Sequence, residues 1–173
     1  LMKKIRTIIV DDEPLARARI RNLLEQIAYI SIIGEGKNGR EAKRLLEEYT
    51  PDLVFLDIQM PDFNGFDALS QSDIHPLPFI IFVTAYDQYA LRAFDVHAVD
   101  YLLKPFDDER FMQAVEHAHR QIQLNENALL HHKIVRLLEE HQHRQAEELT
   151  ALEIRDKGRT ALVKVEDIYW LEA

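Results

Sequence analysis

The stretch LVFLDIQMPDFNGF, residues 53–66, decides the fold of this chain. Its first four residues are apolar and run directly into the carboxylate of Asp57, after which Pro61 and Gly65 break the chain into a loop. The pattern predicts a buried strand that leaves Asp57 at the edge of a core, facing a loop. Such a position lowers stability unless the carboxylate has a partner. The rest of the chain must therefore supply that partner.

Strand and helix patterns alternate over the first two-thirds of the chain. Short apolar runs predict five strands, at residues 8–10, 30–34, 53–56, 79–83 and 101–103. Helices are predicted between them, at residues 14–27, 38–50, 65–71, 87–94 and from 107 onward. Strands this apolar, alternating with amphipathic helices, indicate a parallel sheet buried on both faces. We therefore expect an α/β fold with a doubly wound, five-stranded parallel sheet.

Polar side chains follow four of the five predicted strands. In chain order they are Asp11 and Asp12 after the first strand, Asp57 after the third, Thr84 after the fourth and Lys104 after the fifth. The end of the second strand, residues 34–36, offers no comparable chemistry. Ligands of doubly wound sheets lie at the carboxyl ends of the strands, where the strand order reverses. These side chains are therefore expected to converge on one edge of the sheet and to provide the partner of Asp57.

The chemistry of this group of side chains points to phosphoryl transfer. Crowded carboxylates raise one another's pKa values unless a cation joins them, and an all-oxygen ligand set favours Mg²⁺ or Mn²⁺. A carboxylate beside such an ion is a candidate nucleophile toward phosphorus, forming an aspartyl phosphate. The transferred group needs positive charge and hydrogen-bond donors, which Lys104 and Thr84 would supply.

Four segments resemble the receiver domain of bacterial two-component response regulators. They are IIVDDEPLAR (8–17), DLVFLDIQMPDFNG (52–65), FVTAYD (82–87) and DYLLKPF (100–106). The resemblance extends over residues 5–123 and implies a flavodoxin-like fold. It also implies these roles: phosphoacceptor and metal ligand, Asp57; metal-site acids, Asp11 and Asp12; metal-binding backbone carbonyl, Gln59; switch hydroxyl, Thr84; phosphate-pairing lysine, Lys104; rotating switch aromatic, Tyr101. A cis peptide before Pro105 is implied as well.

The end of the chain, residues 153–173, has a second pattern. It reads EIRDKGRTALVKVEDIYWLEA and alternates like two strands around a turn at Lys157-Gly158. The segment resembles the opening of a LytTR-type DNA-binding domain of the LytR/AlgR family. We therefore expect a truncated product with three parts: a receiver domain at 1–124, a helical linker at 125–152 and an N-terminal fragment of the output domain at 153–173.

The linker is predicted to be helical because residues 107–150 contain no proline or glycine. At Asn125 either a bend or a fresh helix is expected. The apolar stripe with charged flanks over residues 128–148 suits a short coiled coil. A dimer seam and a helix packed on its own receiver remain alternatives.

Six of the eight histidines lie near or in this linker, at positions 117, 119, 131, 132, 141 and 143. Neighbours one or two apart do not share a helix face, so a metal site is disfavoured. A solvated polar face is predicted, with a pH-sensitive linker as the alternative.

Composition limits the classes of function that need to be considered. The chain has 173 residues, 47% of them hydrophobic, a net charge of −9 and no cysteine. Disulfides and thiolate chemistry are excluded, and the acidic charge argues against broad nonspecific nucleic-acid binding. No apolar run suits a membrane span or signal peptide, so a cytoplasmic location without membrane contact is expected. Leu1, before Met2, is read as a residue left from cloning.

The resemblance implies a transcriptional regulator that a sensor histidine kinase phosphorylates on Asp57. Phosphorylation would turn Tyr101 and remodel the surface of residues 87–122, including Leu91, Phe94, Val96 and Val99. Homodimerisation and binding of promoter DNA would follow.

Two alternatives come from other classes of function. The first is a phosphorelay or interaction module without DNA output. The second is a phosphatase, which is disfavoured because such enzymes commonly carry an Asp where this chain has Gln59. We therefore expect no enzyme beyond Mg²⁺-dependent assistance of its own phosphorylation and slow dephosphorylation.

Overall fold

The computed structural model describes residues 3–86, 98–149, 151–156 and 159–164, with side chains through Arg136. The chain forms two compact units, Leu1–Leu124 and Asn125–Ala173. The predicted helix at 87–94 and the residues Leu91, Phe94 and Val96 lie outside the described residues.

The first unit contains a five-stranded parallel sheet, which confirms the predicted fold class. The strands are β1 (Ile5–Val10), β2 (Ile30–Gly36), β3 (Leu53–Leu56), β4 (Phe79–Thr84) and β5 (Asp100–Leu103). The helices described are α1 (Pro14–Glu25), α2 (Gly39–Tyr49), α3 (Gly65–Ser70) and α4 (Asp108–Leu149). The strand order is β2-β1-β3-β4-β5, and every pairing is parallel. In this flavodoxin-like order the reversal lies between β1 and β3.

The sheet is buried on both faces, which explains why its strands are so apolar. Along β3, Leu53 and Phe55 belong to one core cluster, whereas Val54 and Leu56 belong to the other. The first cluster includes residues of α1 and α4, and the second includes residues of α2 and α3. All four side chains of β3 are fully buried. Strand β3 is therefore the centre of the fold, and it delivers Asp57 to the edge of the sheet.

Strand β1 is three residues longer than the apolar run predicted. It begins at Ile5, whose register partner in β2 is Ile30. The polar residue Thr7 is fully buried within it and donates its hydroxyl to the carbonyl oxygen of Ile5. The boundary was missed because pairing with β2, rather than an apolar run, holds Ile5 and Arg6 extended, while Thr7 pairs with both neighbouring strands.

The loop after β3 is held by two helix N-termini. Asn64 caps α3 by accepting a hydrogen bond from the backbone N–H of Asp67, at 3.0 Å. Asp62 accepts bonds from the backbone N–H groups of Gly39 and Arg40 at the start of α2, at 2.8 and 3.0 Å. These bonds lower the pKa of Asp62 against the opposing effect of burial. The loop therefore has a defined conformation beside the edge of the sheet.

The second unit contains an antiparallel pair of strands, β6 (Ala151–Asp156) and β7 (Arg159–Lys164). The pair flanks the predicted turn at 157–158, and β6 begins two residues before the predicted start of the output fragment. Helix α4 is assigned as one helix over Asp108–Leu149, so a fresh helix at Asn125 is wrong. No described helix is long and apolar enough to cross a membrane.

Two histidines of α4 make contacts that the predicted solvated polar face did not include. The His119 ring stacks on the Tyr29 ring with 4.1 Å between their centroids. The Nδ1 atom of His117 lies 3.7 Å from Oδ2 of Asp100. Both contacts come from residues distant in sequence, and so they leave no local signal. His131 and His132 are exposed as predicted, and nothing is described of the side chains of His141 and His143.

Candidate functional site

The site lies where the strand order of the sheet reverses. Val10 and Leu56 are register partners at the ends of β1 and β3, so Asp11 and Asp57 follow on adjacent strands. The N–H of Asp57 donates to the carbonyl oxygen of Val10 at 2.8 Å. On the other side, the N–H of Lys104 donates to the carbonyl oxygen of Thr84 at 2.8 Å. Sheet topology thus brings all four strand ends to one edge.

Three carboxylates form the centre of the site. Asp11, Asp12 and Asp57 each have a carboxylate oxygen within 4.8 Å of the others, and we call this group the carboxylate cluster. Asp11 and Asp57 are 0% and 4% exposed, so both charges lie largely out of water. Burial raises the pKa of Asp57, Lys104 lowers it in part, and Asp11 raises it again. An all-oxygen cluster of this kind suits a hard divalent cation.

Lys104 is the partner that Asp57 requires. Its Nζ atom lies 2.7 Å from Oδ2 of Asp11, 3.0 Å from Oε1 of Glu13 and 3.2 Å from Oδ2 of Asp57. Burial alone lowers the pKa of Lys104, but its contacts with Asp11 and Asp57 outweigh that effect and raise the pKa above its usual value. The ammonium group therefore stays charged inside the cluster and offsets its negative charge.

Thr84 ends β4 with a buried hydroxyl. The residue is 0% exposed, and its Oγ1 has no hydrogen-bond partner among the described residues. A buried hydroxyl without a partner costs roughly 1–3 kcal/mol. Such a group is suited to donate to an anionic ligand that enters the site.

Gln59 and Tyr101 flank the centre of the site in different ways. The N–H of Gln59 donates to Oδ1 of Asp57 at 3.1 Å, which holds the chain after β3 against the carboxylate. Tyr101 is partly buried against the second core cluster, and its hydroxyl donates to the carbonyl oxygen of Tyr86.

The peptide between Lys104 and Pro105 is cis, as the resemblance implies. A second cis peptide, before Pro76, was not predicted.

Tyr101 is also held through its backbone. The Nη2 atom of Arg110 donates to the carbonyl oxygen of Tyr101 at 2.9 Å and to Oδ1 of Asp100 at 2.5 Å. Although burial opposes it, the hydrogen bond from Arg110 keeps the pKa of Asp100 below its usual value. The pair therefore restrains the main chain of β5 beside the tyrosine.

Several residues at this edge were missed from the sequence. Glu13 pairs with Lys104, and Arg17 donates to the carbonyl oxygen of Asp11 at 2.6 Å. At the end of β2, Glu35 binds Arg21 through two hydrogen bonds, a pairing with α1 that the sequence did not predict. Arg17 stands in the quoted motif IIVDDEPLAR, which is the one signal that could have identified it. Glu35 had no such signal, since its partners lie in α1.

A groove of about 400 Å³ opens beside Lys104. We call it the Lys104 groove; it is lined by Glu13, Leu15, Ala16, Arg19, Lys104, Pro105 and Phe106. Leu15 is 85% exposed at its rim, and the guanidinium of Arg19 lies 5.4 Å from the centre of the Phe106 ring. The groove thus places an exposed apolar side chain next to the carboxylate cluster.

Comparisons with known proteins agree with this geometry. Residues 7–116 match the family model of the response regulator receiver domain. A response regulatory protein of Yersinia pestis is 37% identical over 169 residues, covering 98% of this chain and 66% of the relative. The transcriptional regulatory protein BtsR of Escherichia coli K12 is 46% identical over 106 residues, covering 61% of this chain and 44% of the relative.

Another relative and a solved structure extend the comparison. The sensory transduction protein LytT of Bacillus cereus is 46% identical over 120 residues, covering 69% of this chain and 49% of the relative. The crystal structure of the response regulatory domain of MrkE from Klebsiella pneumoniae has a TM-score of 0.64 and 30% identity, covering 69% of this chain and 99% of that one. This chain thus spans less than two-thirds of the length of these curated relatives.

Proposed function

This chain belongs to the response regulator receiver family, whose model matches residues 7–116, and from that premise we propose that it accepts a phosphoryl group on Asp57 from a sensor histidine kinase. The observation that carries the proposal is the position of Lys104, whose ammonium group lies 2.7 Å from Asp11 and 3.2 Å from Asp57 at the reversal of the strand order. A buried carboxylate beside a fixed cation is suited to receive a group whose charge needs neutralising.

In the proposed transfer, an Oδ atom of Asp57 attacks the phosphorus of a phosphohistidine. The new O–P bond forms as the N–P bond breaks, and the imidazole of the kinase leaves. Lys104 would pair with the phosphoryl oxygens, and the buried hydroxyl of Thr84 would donate to one of them. Thr84 supports this role because its Oγ1 lacks a partner among the residues described.

A divalent cation fits the same site. The carboxylates of Asp11, Asp12 and Asp57, with the backbone carbonyl of Gln59, would hold Mg²⁺ or Mn²⁺. When bound, the ion would neutralise charge that develops on the phosphoryl oxygens. The donor set consists only of oxygens, which is the preference of these ions.

Phosphorylation is proposed to act as a switch through Thr84 and Tyr101. Movement of Thr84 toward the phosphoryl group would open space into which Tyr101 turns. Because Arg110 and β5 hold the tyrosine's backbone, the change would fall on its side chain and on the neighbouring surface within residues 87–122. The altered surface would favour a homodimer.

The Lys104 groove is the proposed contact for the kinase. Leu15 and Phe106 offer apolar surface, while Glu13 and Arg19 offer charges of both signs at its rim. A partner seated there would bring its phosphohistidine beside Lys104. The closeness of groove and cluster supports this placement.

The chain is proposed to act as part of a transcriptional regulator, and its proposed location is the cytoplasm. The proposed parts are a receiver at 1–124, a helical linker at 125–152 and a LytTR-type fragment at 153–173. Support comes from the strands β6 and β7 and from relatives that are transcriptional regulators. Promoter DNA would be bound by a complete output domain. A relay module without DNA output is the alternative, and loss of promoter binding in a longer chain carrying the whole output domain would favour it.

Phosphorylation itself is tested with acetyl phosphate and Mg²⁺, followed by separation on a phosphate-affinity gel. We expect a retarded band for the wild type and none for Asp57→Asn or without Mg²⁺. Asp73→Asn is the matched control, because Asp73 is exposed and lies outside the carboxylate cluster. A band that persists in Asp57→Asn would contradict the proposal, as would the absence of any band with both acetyl phosphate and a phosphorylated kinase.

A further inference from the structure

Arg17 lies at this edge of the sheet, and the proposed function assigns it no role. It lies in the first turns of α1, with its side chain only 18% exposed. Its Nη1 atom donates to the backbone carbonyl oxygen of Asp11 at 2.6 Å. The guanidinium therefore contacts the chain at the corner where β1 ends and the carboxylate cluster begins.

The end of β2 supports Arg17 from the other side. Glu35 accepts two hydrogen bonds from Arg21, at 2.5 and 2.7 Å, and one of its oxygens lies 3.9 Å from Nε of Arg17. The next residue, Gly36, accepts the N–H of Asp11 at 3.1 Å. The backbone carbonyl of Asp11 is thus bonded to α1, and its backbone N–H is bonded to β2.

The carboxylate of Asp11 is restrained as well. Its Oδ1 accepts the N–H of Glu13 at 2.9 Å, and its Oδ2 faces the ammonium group of Lys104 at 2.7 Å. With the backbone fixed by Arg17 and Gly36, few orientations of this side chain remain. A ligand whose geometry is set before binding loses less entropy when an ion arrives.

The charge of Arg17 needs to be reconciled with a cation site. A positive group near the carboxylate cluster would repel a divalent ion, but Glu35 lies between Arg17 and Arg21 and offsets part of that charge. A guanidinium also presents its donors in a rigid fork, so it can hold a carbonyl oxygen and face a carboxylate at once. Lysine offers only one ammonium group for both tasks.

We infer that Arg17 is a positioning residue for Asp11, which holds that carboxylate in the orientation required for binding a divalent cation. The inference rests on the proposed function, because it assigns a task to Arg17 at the same cation site. It gives a role to the last residue of the motif IIVDDEPLAR. Residues that orient metal ligands typically change metal affinity by about 10- to 100-fold when removed.

The test measures the Kd for Mn²⁺ of the full chain, from the electron paramagnetic resonance signal of the free ion. We expect Arg17→Met to raise the Kd about tenfold. Arg17→Lys should restore part of the affinity, since an ammonium group can still donate to the carbonyl of Asp11. Arg21→Met is the matched control, because Arg21 binds Glu35 but has no contact with Asp11 among the residues described. Its Kd should change far less than that of Arg17→Met.

Thermal unfolding without Mn²⁺ separates positioning from stability. A role confined to joining α1 and β2 would lower the Tm of the Arg17 and Arg21 variants alike and leave the Kd unchanged, which would overturn the inference. If Arg17→Met does not fold, Arg17→Ala, which also lacks a donor to the carbonyl of Asp11, decides the question, and a Kd equal to that of the wild type overturns the inference.

Asp11→Asn distinguishes the two levels of the proposal. One outcome is that the wild type and Arg17→Met bind Mn²⁺ equally well while Asp11→Asn does not bind it. In that case only the positioning role is wrong. If the wild type itself fails to bind Mn²⁺, the cation site of the proposed function is wrong, and the positioning role falls with it.

Discussion

A Cβ atom on Gly65 would lie 2.5 Å from the carbonyl oxygen of Asp57. The N–H of Gly65 also donates to the carbonyl oxygen of Ile58 at 2.8 Å, so the two segments cannot separate without losing this bond. Glycine is therefore required here by close approach of the backbone. This contact is the reason that the apolar run of β3 is followed so soon by a glycine.

Replacing Gly65 with alanine should destabilise the receiver unit by about 1–3 kcal/mol, the usual cost of overpacking. The added carbon meets backbone, which cannot move aside without displacing Asp57. Gly34→Ala is the control, since its Cβ would meet the terminal methyl of Leu45 at 2.9 Å, and a flexible side chain can yield. Urea unfolding measures both. Equal losses in the two variants would show that the Asp57 contact has no special weight.

Asp57 and Asp100 should make the stability of the fold depend on pH in opposite directions. Burial raises the folded-state pKa of Asp57 above its ordinary value of 3.8, so its protonated form favours folding. That contribution is complete below 3.8 and is lost as pH rises through the raised pKa. Asp57→Asn, which mimics the neutral form, should therefore raise the Tm at neutral pH, and this gain should vanish in acid.

The contribution of Asp100 to stability should change with pH in the opposite direction. Arg110 keeps its pKa below 3.8 despite burial, so its stabilising contribution is present above 3.8 and disappears as pH falls through the lowered value. Asp100→Asn should lower the Tm at neutral pH, with a smaller effect in acid. Thermal melts in EDTA across this pH range compare the two variants, and the same sign for both would contradict the prediction.

Removing the side chain of Tyr101 should separate phosphorylation from its consequence. Tyr101→Ala leaves the carboxylate cluster and Lys104 intact, so modification by acetyl phosphate should proceed. Phosphate-dependent dimerisation should be lost, because the side chain that links β5 to the surface is missing. Analytical ultracentrifugation before and after phosphorylation measures this.

Tyr49→Ala is the control for that experiment. Tyr49 is another partly buried tyrosine packed against the second core cluster, but it ends α2 and lies outside residues 87–122. Its variant should dimerise as the wild type does. Unchanged dimerisation in Tyr101→Ala would remove the tyrosine from the proposed switch.

Leu15→Asp should slow phosphotransfer from a sensor kinase by about tenfold, as expected from losing about 1.5 kcal/mol of apolar contact. Modification by acetyl phosphate should stay unchanged, because a small donor does not need the Lys104 groove. Leu77→Asp is the control: Leu77 is also exposed, at 46%, but lies outside the groove. If both variants react with the kinase as the wild type does, the kinase docks elsewhere.

Local patterns in the sequence were enough to predict the sheet and its edge. The bounds of β3 match the apolar run at 53–56, and the acids after β1 and β3 lie together as the topology rule predicts. These predictions succeed because strand periodicity and turn residues act over a few neighbours. A doubly wound sheet then determines where the strand ends meet.

Contacts between distant residues were decided by the tertiary structure alone. The packing of α1 against β2 decides the two bonds from Arg21 to Glu35 and the bond from Arg17 to Asp11. The register of β4 decides the burial of the Thr84 hydroxyl, which has no partner among the described residues. No spacing along the chain encodes these arrangements, since each joins elements through packing. The sequence by itself determined that Asp11, Asp57, Thr84 and Lys104 reach the edge of the sheet. The fold decided which neighbours join them and which groups are paired or held in place, because burial and distance exist only once the chain has packed.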